Sequence, residues 1–356
     1  MKRIFILIAV VLFTAGAVFA EEAVLIDFTK LTADIHVAVE EQDEGTDPNQ
    51  NRQTMYDFSR VAGGSFTTQQ KQFMKTSLAL PNWNVVLASS SRTITNQGSS
   101  YIKAAASGQY TSVMGVRVHF PVEPFNSWAR INPPFDIPAY DWSEVGEDGA
   151  VTEPENPDRS TPSRFEGPAR ADDPKKSDHG YGLVKNVGTI KSVAVNAYGL
   201  NFPHALSAIL VDDKGNEKVV FLGYLNYDGW GELIWNNPAY VNEVRNREMR
   251  IYPLYPATTP FVKFGGFLIQ RDGANAGGDF IAYFKDVKII YDKAVLDTDR
   301  DIDDEGEWGI VNDRETEKKR FEMERFGQNQ VQQYAETQKK ASEGGFTPSP
   351  TNNATE

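Results

Sequence analysis

Cysteine is absent from all 356 residues. Its absence removes disulfides, thiolate metal sites, thiol catalysis and the acylated cysteine of a lipoprotein anchor. Histidine is scarce. His36, His119, His179 and His204 are scattered with no H-x-x-x-H pair, so zinc binding or general-base work would have to recruit them from distant segments. Each reads as an ordinary surface or strand histidine. An excess of basic charge is also missing. Lys+Arg number 36 against 49 Asp+Glu, a net charge of −13 with an isoelectric point near 4.9. That balance argues against nucleic acid, whose phosphates call for a basic face, and against adsorption to anionic lipid.

The chain has no phosphate-binding glycine loop, no G-x-G-x-x-G after a strand and no G-x-S-x-G elbow. Its many acids leave a glycosidase-like carboxylate pair open on number alone. None, however, sits in the apolar setting that raises a carboxyl pKa. The series Asp297-x-Asp299-x-Asp301-x-Asp303 invites a calcium loop, but Ile302 and Trp308 stand where the loop needs Gly and Glu. An acidic, water-facing hinge is the better reading. No catalytic, cofactor or metal site is expected, and the chain reads as a non-enzyme.

One long hydrophobic run is present. Lys2 and Arg3 precede Ile4 to Phe19, and Ala17-Val18-Phe19-Ala20 leads into Glu21-Glu22. This is the form of a secretory signal peptide over residues 1–20, cut after Ala20. An exported, cysteine-free chain predicts a bacterial periplasmic protein.

The chain is 40% hydrophobic and 12% aromatic, enough to fold on a core. Met114, Val116, Val118 and Phe120 alternate with Gly115, Arg117 and His119, the period of a half-buried strand. Val193, Val195 and Ala197 repeat it. Leu206 to Val211 and Lys218 to Leu222 flank Asp212-Asp213-Lys214-Gly215-Asn216, which has the chemistry of a hairpin turn. Further strands are expected over Val24–Phe28, Trp83–Ala88, Met249–Leu254, Phe261–Gln270 and Phe280–Tyr291. Many short strands, turn signals and few amphipathic helices predict an all-β fold. The expected form is a two-sheet antiparallel β-sandwich, jelly-roll-like, over 21–296, with a closed barrel the weaker alternative.

Two regions differ. Ser143 to Gly180 carries five prolines, dense charge and one large apolar residue, Phe165, and predicts a long exposed polar insertion. Beyond residue 296, Asp297 to Glu307 holds seven acids against one arginine. Arg314 to Lys340 is then rich in helix-forming residues. Its sparse apolar residues, among them Phe321, Phe326, Val331 and Tyr334, are too irregular for a coiled-coil seam. The segment 297–356 therefore reads as an acidic hinge, a solvated helix and a disordered tail, the alternative being a helix used for packing in assembly.

Two aromatic groups stand out: Tyr224, Tyr227, Trp230 and Trp235, and Trp128, Phe135, Tyr140 and Trp142 in a stretch broken by Pro133, Pro134 and Pro138. Such rings close the ends of a core, anchor a protein interface or stack on sugars. The second group lies where the chain is expected to leave the sheets, and its four residues are taken as a candidate partner interface.

Three stretches carry a family resemblance. Met114-Gly-Val-Arg-Val-His-Phe-Pro121 continues through Ser127-Trp-Ala-Arg-Ile-Asn-Pro-Pro-Phe-Asp-Ile-Pro-Ala-Tyr140. The second is Gly180-Tyr-Gly-Leu-Val-Lys-Asn-Val-Gly-Thr-Ile-Lys-Ser-Val-Ala-Val-Asn-Ala-Tyr-Gly199, and the third is Phe280-Ile-Ala-Tyr-Phe-Lys-Asp-Val-Lys-Ile-Ile-Tyr291. Together they resemble the spirochaete flagellar filament outer-layer proteins, FlaA, and the likeness runs to about Leu296. The resemblance implies a sheath subunit on periplasmic flagella. Its partners would be flagellin core subunits and neighbouring sheath subunits, its role filament stiffness, shape and motility, and it brings no catalytic residues. A periplasmic carbohydrate-binding sandwich is the alternative function.

Overall fold

The structure, a computed structural model, describes residues 21–32, 55–57, 65–135, 137–138, 144–145, 151–152, 187–211, 216–240, 263–293, 302 and 304–342. Its strands in chain order are β1 (Glu21–Asp27), β2 (Met55–Asp57), β3 (Lys75–Ser77), β4 (Asn84–Leu87), β5 (Tyr101–Ala106), β6 (Ser112–Phe120), β7 (Ser127–Asn132) and β8 (Ile137–Pro138). After them come β9 (Glu144–Val145), β10 (Val151–Thr152), β11 (Val187–Leu200), β12 (Ala205–Val211), β13 (Glu217–Tyr224), β14 (Asp228–Asn236), β15 (Lys263–Arg271) and β16 (Gly278–Lys293).

Two six-stranded antiparallel sheets form the body. Sheet one has the order β14-β11-β16-β6-β5, with β1 also on β16; sheet two has the order β13-β12-β15-β7-β4, with β8 also on β15. Successive strands alternate between the sheets: β6 to β7, β11 to β12, β13 to β14 and β15 to β16. With β14, β11, β16 and β6 facing β13, β12, β15 and β7, this is the strand order of a jelly roll. The expected all-β, two-sheet sandwich is the observed fold.

The core lies between the sheets. Met114, Val116, Val118 and Phe120 of β6 and Val193, Val195 and Ala197 of β11 face Leu206, Ala208 and Leu210 of β12, and all are buried in one cluster. Phe267 and Phe284 stack across it with ring centroids 4.8 Å apart. Burying such a ring contributes about 1.5–3 kcal/mol.

Both central strands contain a bulge that preserves this burial. Phe280, Ala282 and Phe284 point inward, and so do Val287, Ile289 and Tyr291. The period of two therefore breaks once, at Lys285-Asp286, where the register against β11 shifts. In β15 the inward residues Phe264 and Phe267 are separated by Gly265-Gly266, and the register against β12 shifts there. Without the extra residue, one end of each strand would turn its apolar side chains to solvent. Gly266 has φ +110° and an added Cβ would lie 2.0 Å from the Ile131 carbonyl oxygen, so only glycine fits.

Some expectations are corrected. Among the described residues two short α-helices stand between the strands. Thr68–Gln72 starts at a capping box in which Thr67 Oγ1 accepts from the Gln70 amide and Gln70 Oε1 accepts from the Thr67 amide. Ile94–Ser99 is capped by Thr93. Strands β5, β7 and β14 add to those expected. The C-terminal helix, Ile310–Ser342, is not merely solvated. Val311 and Met323 are buried, the Phe326 ring meets Phe135 edge-on at 6.3 Å and Tyr334 stacks on Phe73 at 3.7 Å. The expected strand at 249–254, the signal segment 1–20, most of the insertion 143–180 and most of the Asp297–Asp303 series lie outside the described residues.

Candidate interaction surfaces

Loops at one end of the sandwich are tied down by a buried cation. Arg271, at the end of β15, is 2% exposed. It donates to the carbonyl oxygens of Pro121 (2.8 Å), Glu123 (3.2 Å) and Asn275 (2.7 Å through Nη2). A planar fork of donors meets several carbonyls at once, which a lysine cannot do. Beside it, His204 is 3% exposed among the rings of Phe120, Phe202 and Phe280. Neither ring nitrogen has a partner among the described residues. Burial first, and the Arg271 charge second, lower its pKa to about 4. The end is thus rigid and apolar, held by backbone acceptors.

Sheet one presents an aromatic outer face. Trp230 of β14 is in register with Tyr198 of β11, and Tyr198 with Tyr283 of β16. Tyr283 is in turn opposite Gly115 of β6, where an added Cβ would press on its ring at 3.3 Å. The rings meet edge to face: Tyr198–Trp230 at 5.4 Å and 80°, Tyr198–Tyr283 at 6.0 Å and 78°. Tyr110, from the β5–β6 turn, meets Trp230 at 5.0 Å and 86°, and Lys285 lies over the Tyr110 ring. This herringbone is a favourable aromatic arrangement. It does not offer the coplanar rings that stack on a sugar. Leu200 and Ile234, both partly exposed, extend the apolar surface.

The charges on this face pair with one another. Asp279 accepts from Arg117 at 2.8 Å and contacts His119 Nδ1 at 2.7 Å. The hydrogen bond from Arg117, then the one from His119, holds the Asp279 carboxyl below its usual range. Lys288 lies 3.6 Å from Glu22 and 3.8 Å from Glu232.

On sheet two, Trp128 is an outward residue of β7, 40% exposed and in register with Gln270. Val219, Phe221 and Tyr224 of β13 are exposed on the same sheet. Arg130 forms a bidentate pair with Glu217 at 2.7 and 2.8 Å, joining β7 to β13.

Of the four expected interface residues, the structure places Trp128 within a strand instead of a departing loop. It turns Phe135 against the C-terminal helix, and Tyr140 and Trp142 lie outside the described residues. The second aromatic group divides. Trp230 joins the ladder, Tyr224 faces out from sheet two, Trp235 packs against the core and the Tyr227 hydroxyl donates to the Ala197 carbonyl. Among the described residues no three His, Asp or Glu side chains gather as a metal site would require. No described helix is long and apolar enough to cross a membrane.

The topology and these surfaces define the class: a jelly-roll β-sandwich with a helix docked on it and apolar groups on both outer faces. Comparison with known proteins gives the family. The family model for the flagellar filament outer layer protein Flaa matches residues 47–300, and the chain belongs to that family. A flagellar filament outer layer protein of Treponema pallidum (strain Nichols) is 47% identical, covering 98% of this chain and 97% of its own. One of Spirochaeta aurantia is 41% identical over 97% and 95%, and one of Borreliella burgdorferi 29% over 76% and 73%. Among solved structures, carbohydrate-binding modules overlap 59% and 61% of the chain with TM-scores of 0.29 and 0.24 and identities of 8% and 12%. Likeness that loose says nothing of what this chain binds.

Proposed function

We propose that the chain is a structural subunit of the outer layer of the periplasmic flagellar filament. It coats the flagellin core and supports filament stiffness, shape and motility by contact, with no bond made or broken. The observation that carries this reading is the 47% identity to a flagellar filament outer layer protein along nearly the full length of both chains. The fold is compatible with it. Antiparallel sheets closed over one core resist deformation, and a repeating subunit needs at least two surfaces, one for its neighbours and one for what it coats. Both outer faces here carry exposed apolar side chains, where an antiparallel sheet facing only water is usually polar. Of the four expected interface residues, Trp128 has the exposure that contact with a partner requires. The signal segment at residues 1–20 supports export to the periplasm.

Deleting the chain from its cell and imaging the isolated filaments tests the proposal. Loss of an outer density shell, with altered curvature and impaired swimming, is expected. Filaments of unchanged diameter and shape would refute it. Trp128→Ala should fold normally yet enter filaments less well, whereas normal incorporation would remove Trp128 from the contact.

A further inference from the structure

We infer that the two edges of sheet one join copies of the chain side by side: β14 of one copy adds to β5 of the next, and the sheet runs on from subunit to subunit. The inference rests on the outer-layer reading for its setting and names the contact between neighbours.

β14 and β5 end sheet one, and among the described residues neither pairs with a strand on its far side. Each end strand therefore presents a row of backbone donors and acceptors that a further strand can meet. Sheet one is antiparallel at every step from β14 through β11, β16 and β6 to β5, so its first and fifth strands run in the same direction. A neighbour in the same orientation brings its β14 alongside β5 as a parallel strand. Register shows which side chains then meet. Trp230 lies opposite the outward Tyr198, so Asp228, Trp230, Glu232 and Ile234 share the outer face of β14. Lys103 lies opposite Gly115, which lies opposite the outward Tyr283, so Tyr101, Lys103 and Ala105 share the outer face of β5. Setting Glu232 beside Lys103 brings Trp230 beside Tyr101 and Ile234 beside Ala105. An ion pair is thus flanked by two apolar pairs.

Charge selects this pairing over the closed ones. β14 carries two acids, Asp228 and Glu232, and no base, whereas β5 carries Lys103 and no acid. Glu232 is the middle residue of β14, so two β14 strands paired about their centres would set it against its own copy. Two β5 strands paired about Lys103 would do the same to the lysine. Like charges directly opposite each other are destabilising. Lys103 and Asp228 are exposed and have no ion pair among the described residues. Lys288 lies 3.6 Å from Glu22 and 3.8 Å from Glu232, one cation shared by two acids, so the β14 edge keeps an excess of negative charge. The two edges differ, and a contact between them propagates instead of closing into a dimer, the geometry a coat requires.

The absence of native cysteine makes the test clean. Full-length Ala105→Cys and Ile234→Cys proteins, each with the thermal melt of the parent chain, would be mixed at high concentration and oxidised with copper-phenanthroline. Side-by-side strands place the two thiols within disulfide reach. A mixed disulfide dimer is expected at about ten times the yield of an Ala105→Cys plus Phe221→Cys control pair, equivalent to about 1.4 kcal/mol of preference. Adding Lys103→Glu to the Ala105→Cys chain should bring the yield down to the control, and adding Glu232→Lys to its Ile234→Cys partner should restore it. Equal yields in the two pairs would overturn the inference. So would a yield that charge reversal leaves unmoved, or Ile234→Cys linking most efficiently to itself, the mark of a closed β14 pair. Because no filament is present, failure here leaves the outer-layer reading intact, and failure of chain and filament to travel together leaves this contact intact.

Discussion

Arg271 donates to the carbonyl of Pro121 at 2.8 Å across 150 residues of sequence, joining the end of β15 to the loop after β6. Its other acceptors, Glu123 and Asn275, are also backbone carbonyls. The buried guanidinium thus does for two loops what secondary structure does elsewhere: it supplies donors to carbonyls cut off from water.

Arg271→Met keeps the stem but leaves three acceptors without their donor. A loss of about 3 kcal/mol in unfolding free energy is expected from urea titration. Arg271→Lys should recover only a minor part, since one ammonium cannot meet carbonyls on both sides.

His204 makes the fold acid-sensitive. Its pKa is about 4 when folded against about 6.5 in an unfolded chain, so below the latter value the unfolded state takes up the proton more readily. The neutral imidazole's stability is fully present above pH 6.5 and is lost progressively as pH falls to about 4. The shift corresponds to about 3 kcal/mol in total. His204→Leu fills the same apolar pocket without a titrating group, and its stability should vary markedly less over that range. An unchanged pH dependence, measured by thermal melts at pH 7 and pH 4.5, would exonerate His204.

Gly266→Ala forces a side chain into positive φ and against the Ile131 carbonyl oxygen. It should cost about 3 kcal/mol or more, enough to deplete soluble protein. Gly108→Ala, where nothing lies within 4 Å of the added carbon, should be near neutral in the same expression and melting assays.

The helix Ile310–Ser342 is docked through Met323, Phe326 and Tyr334. Phe326→Ala with Tyr334→Ala removes its ring contacts to Phe135 and Phe73, each such pair being worth about 0.5–1.5 kcal/mol beyond the area it buries. Limited proteolysis should then cleave within the helix while the sandwich fragment survives. Equal resistance to that of the parent chain would show that the helix is held by other contacts.

The strands that can be read from the sequence are those with one wet face or with a short apolar run closed by turn residues. β6 alternates cleanly because Arg117 and His119 face out, and β11, β13 and β16 are legible for similar reasons, whereas β12 and β15, buried along nearly their whole length, read as apolar runs bounded by turn signals. β14 is not legible, because it is apolar on both faces, with Trp230 and Ile234 outward and Leu233 and Trp235 inward. β7 is hidden by the prolines just after it. The bulges do leave a trace: Phe264-Gly-Gly-Phe267 and Phe284-Lys-Asp-Val287 each break the period of two between residues that must face the same way. The aromatic ladder leaves none. Tyr198, Trp230 and Tyr283 come from three strands far apart in sequence, and only cross-strand register brings them together. Of the proposed interface set, the outward position of Trp128 follows from strand alternation, whereas Phe135 against Phe326 depends on where a helix some two hundred residues later comes to rest.

The most direct test of the central claim is fractionation of purified periplasmic filaments, asking by immunoblot where the mature chain travels. Co-sedimentation with flagellin through repeated washing, in an amount comparable to the core subunits, is the predicted result. Recovery of the chain only in the soluble periplasmic fraction would contradict it.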